Sequence, residues 1–290
     1  SDVCSSDLLH GRDPAQPETW RGEVYAGLDY ADLGAWHPWV DYPLGLQGAG
    51  GVRAWLDFGD GRLSGVTADF ALKDARVRLA PDLEDIAMEE ASGRLRYRRE
   101  GGVLEASGKR LALKTLDGLE VAPTDFFLRV QDKQGSTPGK GEFLANQLDL
   151  EALSRLAGRL PFDEGLRQRL ARLAPSGSVA PLSVKWSAND EGLQTYAVDA
   201  RFSGLGIEPL GAWPGFSGMA GRIEGNDKGG RFTLSGRDAA LKLPQVFAES
   251  RLELAQLGVE GAWSHPGGML EVRLASASFS NRDARGTASG

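Results

Sequence analysis

One stretch of the chain occurs twice. The segment GRLRYRREGGVLEASGKRLALK, which begins at Gly93, aligns without a gap with GRIEGNDKGGRFTLSGRDAALK, which begins at Gly221, 128 residues later. Both copies keep Gly-Arg before an apolar residue, a Gly-Gly pair and a Ser-Gly pair, whereas the residues before the Gly-Gly pair differ. A turn that marks a repeat explains this pattern better than a ligand-binding loop, because self-similarity at a fixed spacing is typical of repeat proteins.

Two further matches support the repeat and occur in the same order in both halves. GEVYAGLDYADL, from Gly22, is similar to GEFLANQLDLEAL, from Gly141, with one inserted residue. Trp55 corresponds to Trp186 at a spacing of 131, which favours an architectural role for both tryptophans. The matches predict a linker over residues 9–19, repeat units over 20–140 and 141–266, and the start of a truncated third unit over 267–290.

The first residues, SDVCSSDL, hold the one cysteine of the chain, Cys4. They match the translation of a common sequencing-adapter end. We therefore expect residues 1–8 to be a read-through artefact, and we leave them out of the fold prediction.

Within each unit the dominant hydrophobic period is two. Val52 and Leu56 alternate with Arg53 and Trp55, and the same alternation recurs along most of the chain. This spacing predicts antiparallel strands with one apolar side, separated by Gly, Asn and Asp turns. Short helices are predicted at about 30–37, 149–160 and 164–173, the last two beginning after the capping residues Asp149 and Asp163.

Composition and motifs disfavour several classes of function. The net charge of −7 argues against a nucleic-acid binder. The three histidines lack metal-ligand spacing, so we expect no metal and no haem. The segment GSTPGKGEF misses the phosphate-loop spacing, Gly-x-Ser-x-Gly is absent, and no acidic pair is singled out. We therefore predict a protein that is not an enzyme and has no cofactor and no catalytic residue.

Two groups of side chains leave alternatives open. The tryptophans are expected either to anchor a thin core, to meet lipid, or to stack on sugars. The arginines of the helix pair 149–173 form a solvated face or contact acidic headgroups or a partner protein; they are Arg155, Arg159, Arg167, Arg169 and Arg172.

Four segments in order resemble the YhdP-type proteins of the AsmA-like superfamily. They are WRGEVYAGLDYADLGAWHPWVDYPLGLQGAGGVRAWLDF, LDLEALSRLAGRLPFDEGLRQRLARLAPSGSV, WPGFSGMAGRIEGNDKGG and LPQVFAESRLELAQLGVEGAW. The resemblance covers residues from about 17 onward. It implies a mostly β protein whose elongated antiparallel sheet is curled into a groove, a repeating β-groove, held at the periplasmic face of the inner membrane by an anchor outside this segment.

The resemblance also implies a function, which is non-enzymatic phospholipid transport between the inner and outer membrane. The expected partners are phospholipid acyl chains, the inner-membrane anchor, further β-repeats of the same chain and envelope proteins. We predict that the groove is lined by Val52, Leu56, Phe70, Leu95, Leu182, Val184, Val198, Phe202, Ile223, Phe232, Leu234 and Leu254. Two alternatives remain. In the first, the twelve residues fill the core of a closed β-sandwich and do not line a groove. In the second, the chain is a sugar-binding or scaffolding β-module of the cell envelope.

Overall fold

The computed structural model describes residues 3–10, 21–32, 45–59, 62–135, 137–211, 214–243 and 251–290. The chain divides into two compact units. Unit 1 comprises Ser1–Asp132 with Gly158–Pro161, and unit 2 comprises Lys133–Ala157 with Phe162–Gly290.

Unit 1 is built from strands that pair with their neighbours in chain order, and every pair is antiparallel. The strands are β1 (Val3–His10), β2 (Arg21–Asp32), β3 (Gly45–Gly59), β4 (Arg62–Arg78), β5 (Ile86–Glu100), β6 (Val103–Thr115) and β7 (Glu120–Gln131).

Unit 2 follows the same plan, with helices between its first strands. Its elements are β8 (Gly139–Ala145), β9 (Leu148–Asp149), α1 (Leu150–Leu156), α2 (Glu164–Leu173), β10 (Ser176–Asn189), β11 (Gly192–Ile207), β12 (Gly215–Asn226), β13 (Gly229–Lys242), β14 (Arg251–Ser264), a 3-10 turn (Pro266–Gly268), β15 (Glu271–Ser280) and β16 (Arg285–Ala288). A further 3-10 turn (Ala157–Arg159) follows α1, and its last two residues belong to unit 1. β8 pairs with β10, and the later strands pair in chain order and antiparallel, while the short β9 pairs with β10.

The predicted fold class is confirmed: the protein is mostly β, with antiparallel pairing and open sheets. Among the described residues, the extensive contacts of each strand are with its sheet neighbours, apart from α1 against β10. The described strands of each unit all belong to one sheet, and no second sheet is present among the residues that the structure describes. A closed β-sandwich core is therefore not the arrangement of the described residues.

The helix predictions fare differently along the chain. Asp149 caps α1 by accepting a hydrogen bond from the Ala152 amide at 2.9 Å, and Asp163 caps α2 in the same way from Leu166 at 3.0 Å. The helices predicted at 149–160 and 164–173 are confirmed, the first ending in the 3-10 turn. Of the helix predicted at 30–37, residues 30–32 continue β2 as strand, and residues 33–37 lie outside the described residues.

The matched sequences lie on corresponding strands of the two units. The Gly22 and Gly141 matches begin β2 and β8, and the Gly93 and Gly221 copies form the hairpins β5–β6 and β12–β13. The turns of these hairpins differ, however. Gly101-Gly102 makes the first turn, whereas Asp227-Lys228 makes the second, and Gly229-Gly230 begins the returning strand. The repeat boundaries and the adapter origin of residues 1–8 stay predictions.

Each unit buries apolar residues near one end of its strands, which we call its closed end; in unit 2 these residues include Met219, Ala239, Ala240 and Leu254. In unit 1 the fully buried apolar residues cluster near the β4–β5 and β6–β7 turns; they are Leu72, Ala75, Leu83, Ile86, Met88, Ala91 and Leu119. Thr115 fixes the second turn, since its amide and hydroxyl both bond to the Leu119 backbone. The rest of the apolar side is only half-buried.

Candidate functional site: the apolar sheet face

The groove residues predicted in unit 1 lie on one face of its sheet. Residues directly opposite each other in an antiparallel pair point to the same side. Val52 is opposite Phe70, Leu56 is opposite Val66, and Leu95 is opposite Ala68 on the neighbouring strand. We call this side the apolar face of unit 1 and the other side its polar face.

The same holds for unit 2, taken by itself. Val184 is opposite Val198, Ile223 is opposite Phe232, and Leu234 is opposite Gly221. Leu182 pairs with Ala200 and Ala200 with Ile223, so the side chains share one side across four strands. The apolar face of unit 2 thus carries Leu182, Val184, Val198, Phe202, Ile223, Phe232 and Leu234.

Leu254 reaches the apolar face of unit 2 through a bulge. Asp238 has φ 53°, and it interrupts the alternation of β13. A Cβ on Gly236 would lie 2.7 Å from the Cβ of Ala239, which shows that both residues face the apolar side. Leu254 is opposite Ala239 and therefore shares that side.

Exposure separates Leu254 from the other predicted residues. Leu95 is 42% exposed, and the other ten are half-buried, so all eleven present apolar surface to solvent. Leu254 is only 2% exposed and lies opposite Ala239, which is itself buried, at the closed end. A side chain so covered supports the face without offering a contact surface for a ligand.

Glycines inside the strands make the apolar face of unit 2 flat. A Cβ on Gly141 would overlap the ring of Trp186 on the next strand, and a Cβ on Gly225 or Gly230 would overlap the ring of Trp263. Further rings cover glycines in the same manner: Phe202 covers Gly221, Phe232 covers Gly261, and Phe279 covers Gly286. Phe232 and Trp263 also stack, with their centroids 6.5 Å apart. The aromatic rings therefore lie flat against the sheet over these glycines. The same cross-strand packing of an aromatic ring on a glycine is known from edge strands.

On the polar faces, ion pairs join side chains of neighbouring strands. Asp69 accepts two hydrogen bonds from Arg94, at 2.5 and 2.6 Å, and Asp199 accepts two from Arg222, at 3.1 and 3.0 Å. Arg94 and Arg222 are the arginines of the repeated Gly-Arg-apolar motif, 128 residues apart. The motif therefore has a structural explanation in both units: the arginine bonds on the polar face, and the next residue faces the apolar side.

These bonds have an electrostatic consequence. The hydrogen bond from Arg94 holds the pKa of Asp69 below its ordinary value, and Arg222 does the same for the pKa of Asp199. Because both folded-state pKa values are lowered, the two pairs stabilise the fold above the unfolded pKa of about 3.9, and this stabilisation is lost as pH falls through the folded-state values.

We expect a variant with Asp69→Asn and Asp199→Asn to lose less stability on acidification than the wild type does below about pH 4. Urea unfolding followed by circular dichroism at a series of pH values measures this difference. Asp283→Asn, at an exposed position of β15–β16 without an ion pair in the described part of the chain, is the matched control. An unchanged acid dependence in the double variant would rule out the assignment.

The predicted equivalence of Trp55 and Trp186 is wrong. Trp186 lies on the apolar face over Gly141, whereas Trp55 lies on the polar face, opposite Tyr25. The reason is one of parity, because side chains alternate with period two along a strand. Apolar residues such as Leu56 and Val184 recur at 128, an even spacing, while the tryptophans recur at the odd spacing of 131.

The arginines of the helix pair differ in their surroundings, since some form ion pairs within the protein and others are exposed. Arg167 pairs with Glu164 at 3.0 Å along α2, and Arg159 lies 3.7 Å from Glu84 and 3.6 Å from Asp117. Arg169 and Arg172 are exposed. Contact with headgroups or a partner stays a prediction.

Comparison with known proteins identifies the family of this chain. A family model described as YhdP protein matches residues 4–290. The chain belongs to the YhdP family. This confirms the resemblance of the four segments, and membership in the YhdP family is consistent with a lipid-transport role in the cell envelope. Neither the curated proteins nor the solved structures include a match to the chain.

None of the helices in the described ranges is both long and apolar enough to cross a membrane. Within the same ranges, no group of three or more His, Cys, Asp or Glu side chains is arranged to hold a metal ion.

Proposed function

We propose that this chain is a segment of a non-enzymatic lipid-transport protein, which moves phospholipid between the inner and outer membrane along its apolar sheet faces. In each unit the acyl chains lie against the apolar face while the headgroup stays in water. The eleven half-buried or exposed predicted residues make the contact, and Leu254 supports them from the closed end.

One observation carries the proposal. Large apolar side chains from successive strands lie together on one side of each open sheet, and the described part of the chain contains no second sheet to cover them. Soluble proteins rarely leave contiguous apolar patches uncovered, and such patches mark interaction sites. A fluid acyl chain suits this face, because the face offers apolar contact without directional hydrogen bonds.

Energetics explain what such a face does for lipid transfer. The two chains of a phospholipid contain roughly 30 CH₂ groups, each worth about 0.8 kcal/mol when removed from water. Carrying both chains through water would therefore cost on the order of 20 kcal/mol. An apolar face that keeps most of these groups dry lowers that barrier.

The rings that lie over strand glycines in unit 2 form a flat surface, which we call the aromatic floor. This floor favours movement of an acyl chain along the sheet over tight binding at one position. Rings that lie down over glycines leave few ridges between neighbouring strands. A bound chain then meets similar apolar contacts at each position, with no deep pocket that would hold it in place. Growth by repetition of the strand unit would lengthen such a surface.

Location and partners follow the same proposal. We place the chain at the periplasmic face of the inner membrane, attached through an anchor outside this segment and joined to further β-repeats. Envelope proteins are further partners. The alternative, that the chain is solely a sugar-binding or scaffolding module, does not account for the apolar faces.

Native mass spectrometry of the purified chain, after incubation with vesicles of phosphatidylethanolamine and phosphatidylglycerol, tests the proposal. We expect protein ions with one or more phospholipid masses attached, because the apolar faces gain by covering themselves with acyl chains. A folded chain that carries no phospholipid after this incubation would contradict the proposed function.

A further inference from the structure

A cavity of about 1370 Å³ in unit 1 is lined mainly by polar-face residues and by residues at the ends of the neighbouring strands. Its polar-face residues, which point away from the proposed lipid surface, are Glu23, Trp55, Asp57, Thr67, Arg94 and Arg96. The cavity is formed by side chains of neighbouring strands that stand in rows. Tyr25, Trp55, Thr67 and Arg96 make one row across β2 to β5, because each is directly opposite the next. The cavity therefore belongs to a built arrangement of the sheet.

An aromatic platform forms one part of this cavity. Trp55 is half-buried, and its ring centroid lies 5.3 Å from that of Tyr25. The guanidinium carbon of Arg94 lies 5.8 Å from the Trp55 centroid. Thr67, the next residue of the row after Trp55, is small, and both residues line the cavity.

Four charged side chains near the platform, two basic and two acidic, have no ion-pair or side-chain hydrogen-bond partner in the described part of the chain. In the described part of the chain, Arg62 and Arg96 make no ion pair or side-chain hydrogen bond, and neither do the carboxylates of Glu23 and Asp57. Glu23 and Asp57 are directly opposite each other, an arrangement of like charges that destabilises a strand pair. A hydroxyl-rich ligand would satisfy both carboxylates and both guanidinium groups.

The balance of charge argues against an anionic ligand. The other charged groups at the cavity are already paired: Arg94 with Asp69, Arg98 with Glu100 at 2.6 Å, and Arg99 with Asp132 at 3.1 Å. The charged groups of the cavity left without an ion pair in the described part of the chain are two guanidinium groups and two carboxylates, whose charges cancel. A phosphate or a phospholipid headgroup would need an excess of cations, whereas an uncharged ligand fits this balance.

We propose that this cavity binds an uncharged oligosaccharide. A sugar ring stacks its C–H face on Trp55, its hydroxyls donate to Glu23 and Asp57, and Arg96 and Arg62 donate to its oxygens. The cavity exceeds the range of about 300–1000 Å³ that drug-sized ligands occupy, so it accommodates more than one sugar unit. This site is independent of the lipid surface, and the chain would hold a glycan and a lipid on opposite faces of one sheet.

Isothermal titration calorimetry of the full chain with hexa-N-acetylchitohexaose and with maltohexaose, two uncharged probes, tests the site. We expect at least one probe to bind with a Kd of about 1 mM or tighter. Trp55→Ala should weaken binding by about tenfold, since an aromatic stack is lost. Trp186→Ala, on the apolar face of unit 2, is the matched control and should leave the affinity for the sugar unchanged.

A second variant keeps the test independent of folding and of lipid transport. Arg96 is exposed and unpaired in the described part of the chain, so Arg96→Gln should leave the circular dichroism spectrum and phospholipid binding unchanged while weakening sugar binding several-fold. The proposal is overturned if folded wild-type protein binds neither probe. It is equally overturned if both variants bind like the wild type, or if inorganic phosphate displaces the sugar.

Discussion

Val184→Asp combined with Phe232→Asp is expected to abolish phospholipid binding while the fold is retained. Both side chains lie half-buried on the apolar face of unit 2, Val184 between Phe143 and Val198, and Phe232 opposite Ile223. A carboxylate placed against an acyl chain must either lose water, at a cost of several kcal/mol, or keep its water and push the chain away. Native mass spectrometry after vesicle incubation measures the loss.

The matched control adds the same two charges to the other face. Ser235 and Ala262 are exposed on the polar face of unit 2, and Ala262 is opposite Arg231 and Arg273, which would stabilise a carboxylate there. Ser235→Asp with Ala262→Asp should therefore bind phospholipid like the wild type. If the apolar-face variant stays folded and still carries lipid, these residues are not part of a lipid surface.

Gly141→Ala is expected to destabilise unit 2 by about 1–3 kcal/mol, the usual cost of overpacking. The added Cβ would lie 2.0 Å from the nearest atom of the Trp186 ring, so the ring must shift from its place on the sheet. Because the other nearest atoms also belong to that ring, the clash has one source. Urea unfolding followed by tryptophan fluorescence and circular dichroism measures the change in midpoint.

Removal of the ring tests the cause. In the double variant Gly141→Ala/Trp186→Ala the added methyl group meets no ring, so its cost should fall well below the cost of Gly141→Ala in the wild type. Gly158→Ala is the neutral control, since a Cβ there has no atom within 4 Å. If Gly141→Ala shifts the midpoint no more than Gly158→Ala does, the aromatic floor is not packed as described.

The sequence predicts the strands and their sides well, because hydrophobic alternation is a direct consequence of strand geometry. Val52, Leu56 and Phe70 alternate with charged neighbours, and the register places all three on one face. The helix pair of unit 2 is also predictable, since Asp149 and Asp163 are capping residues followed by leucines at helical spacing.

Positions near bulges are less predictable. A residue with positive φ, such as Asp74, Arg110 or Asp238, shifts the alternation of its strand by one position. Nothing in the local sequence announces this shift, because none of the three is glycine. The burial of Leu254 follows from the Asp238 bulge and the packing around it, and alternation alone gives it the same weight as Leu234.

The tryptophans and glycines show a second limit. Trp55 and Trp186 look equivalent in a sequence alignment, but an odd difference in spacing puts them on opposite faces. Glycines in the middle of strands are easily taken for turn signals, although Gly141 and Gly225 are there to make room for rings on neighbouring strands. Cross-strand neighbours decide both features, and a single sequence does not state which residues are neighbours.

Photo-crosslinking along β10 and β13 tests the central claim, that acyl chains lie on the apolar face. A benzophenone amino acid is placed singly at eight positions, and the protein is irradiated after incubation with phospholipid vesicles. Crosslinks to phospholipid should form at Leu182, Val184, Phe232 and Leu234 and be absent at their polar-face neighbours Ser183, Lys185, Thr233 and Ser235. Equal labelling of both sets, or labelling of the polar-face set alone, would contradict the account.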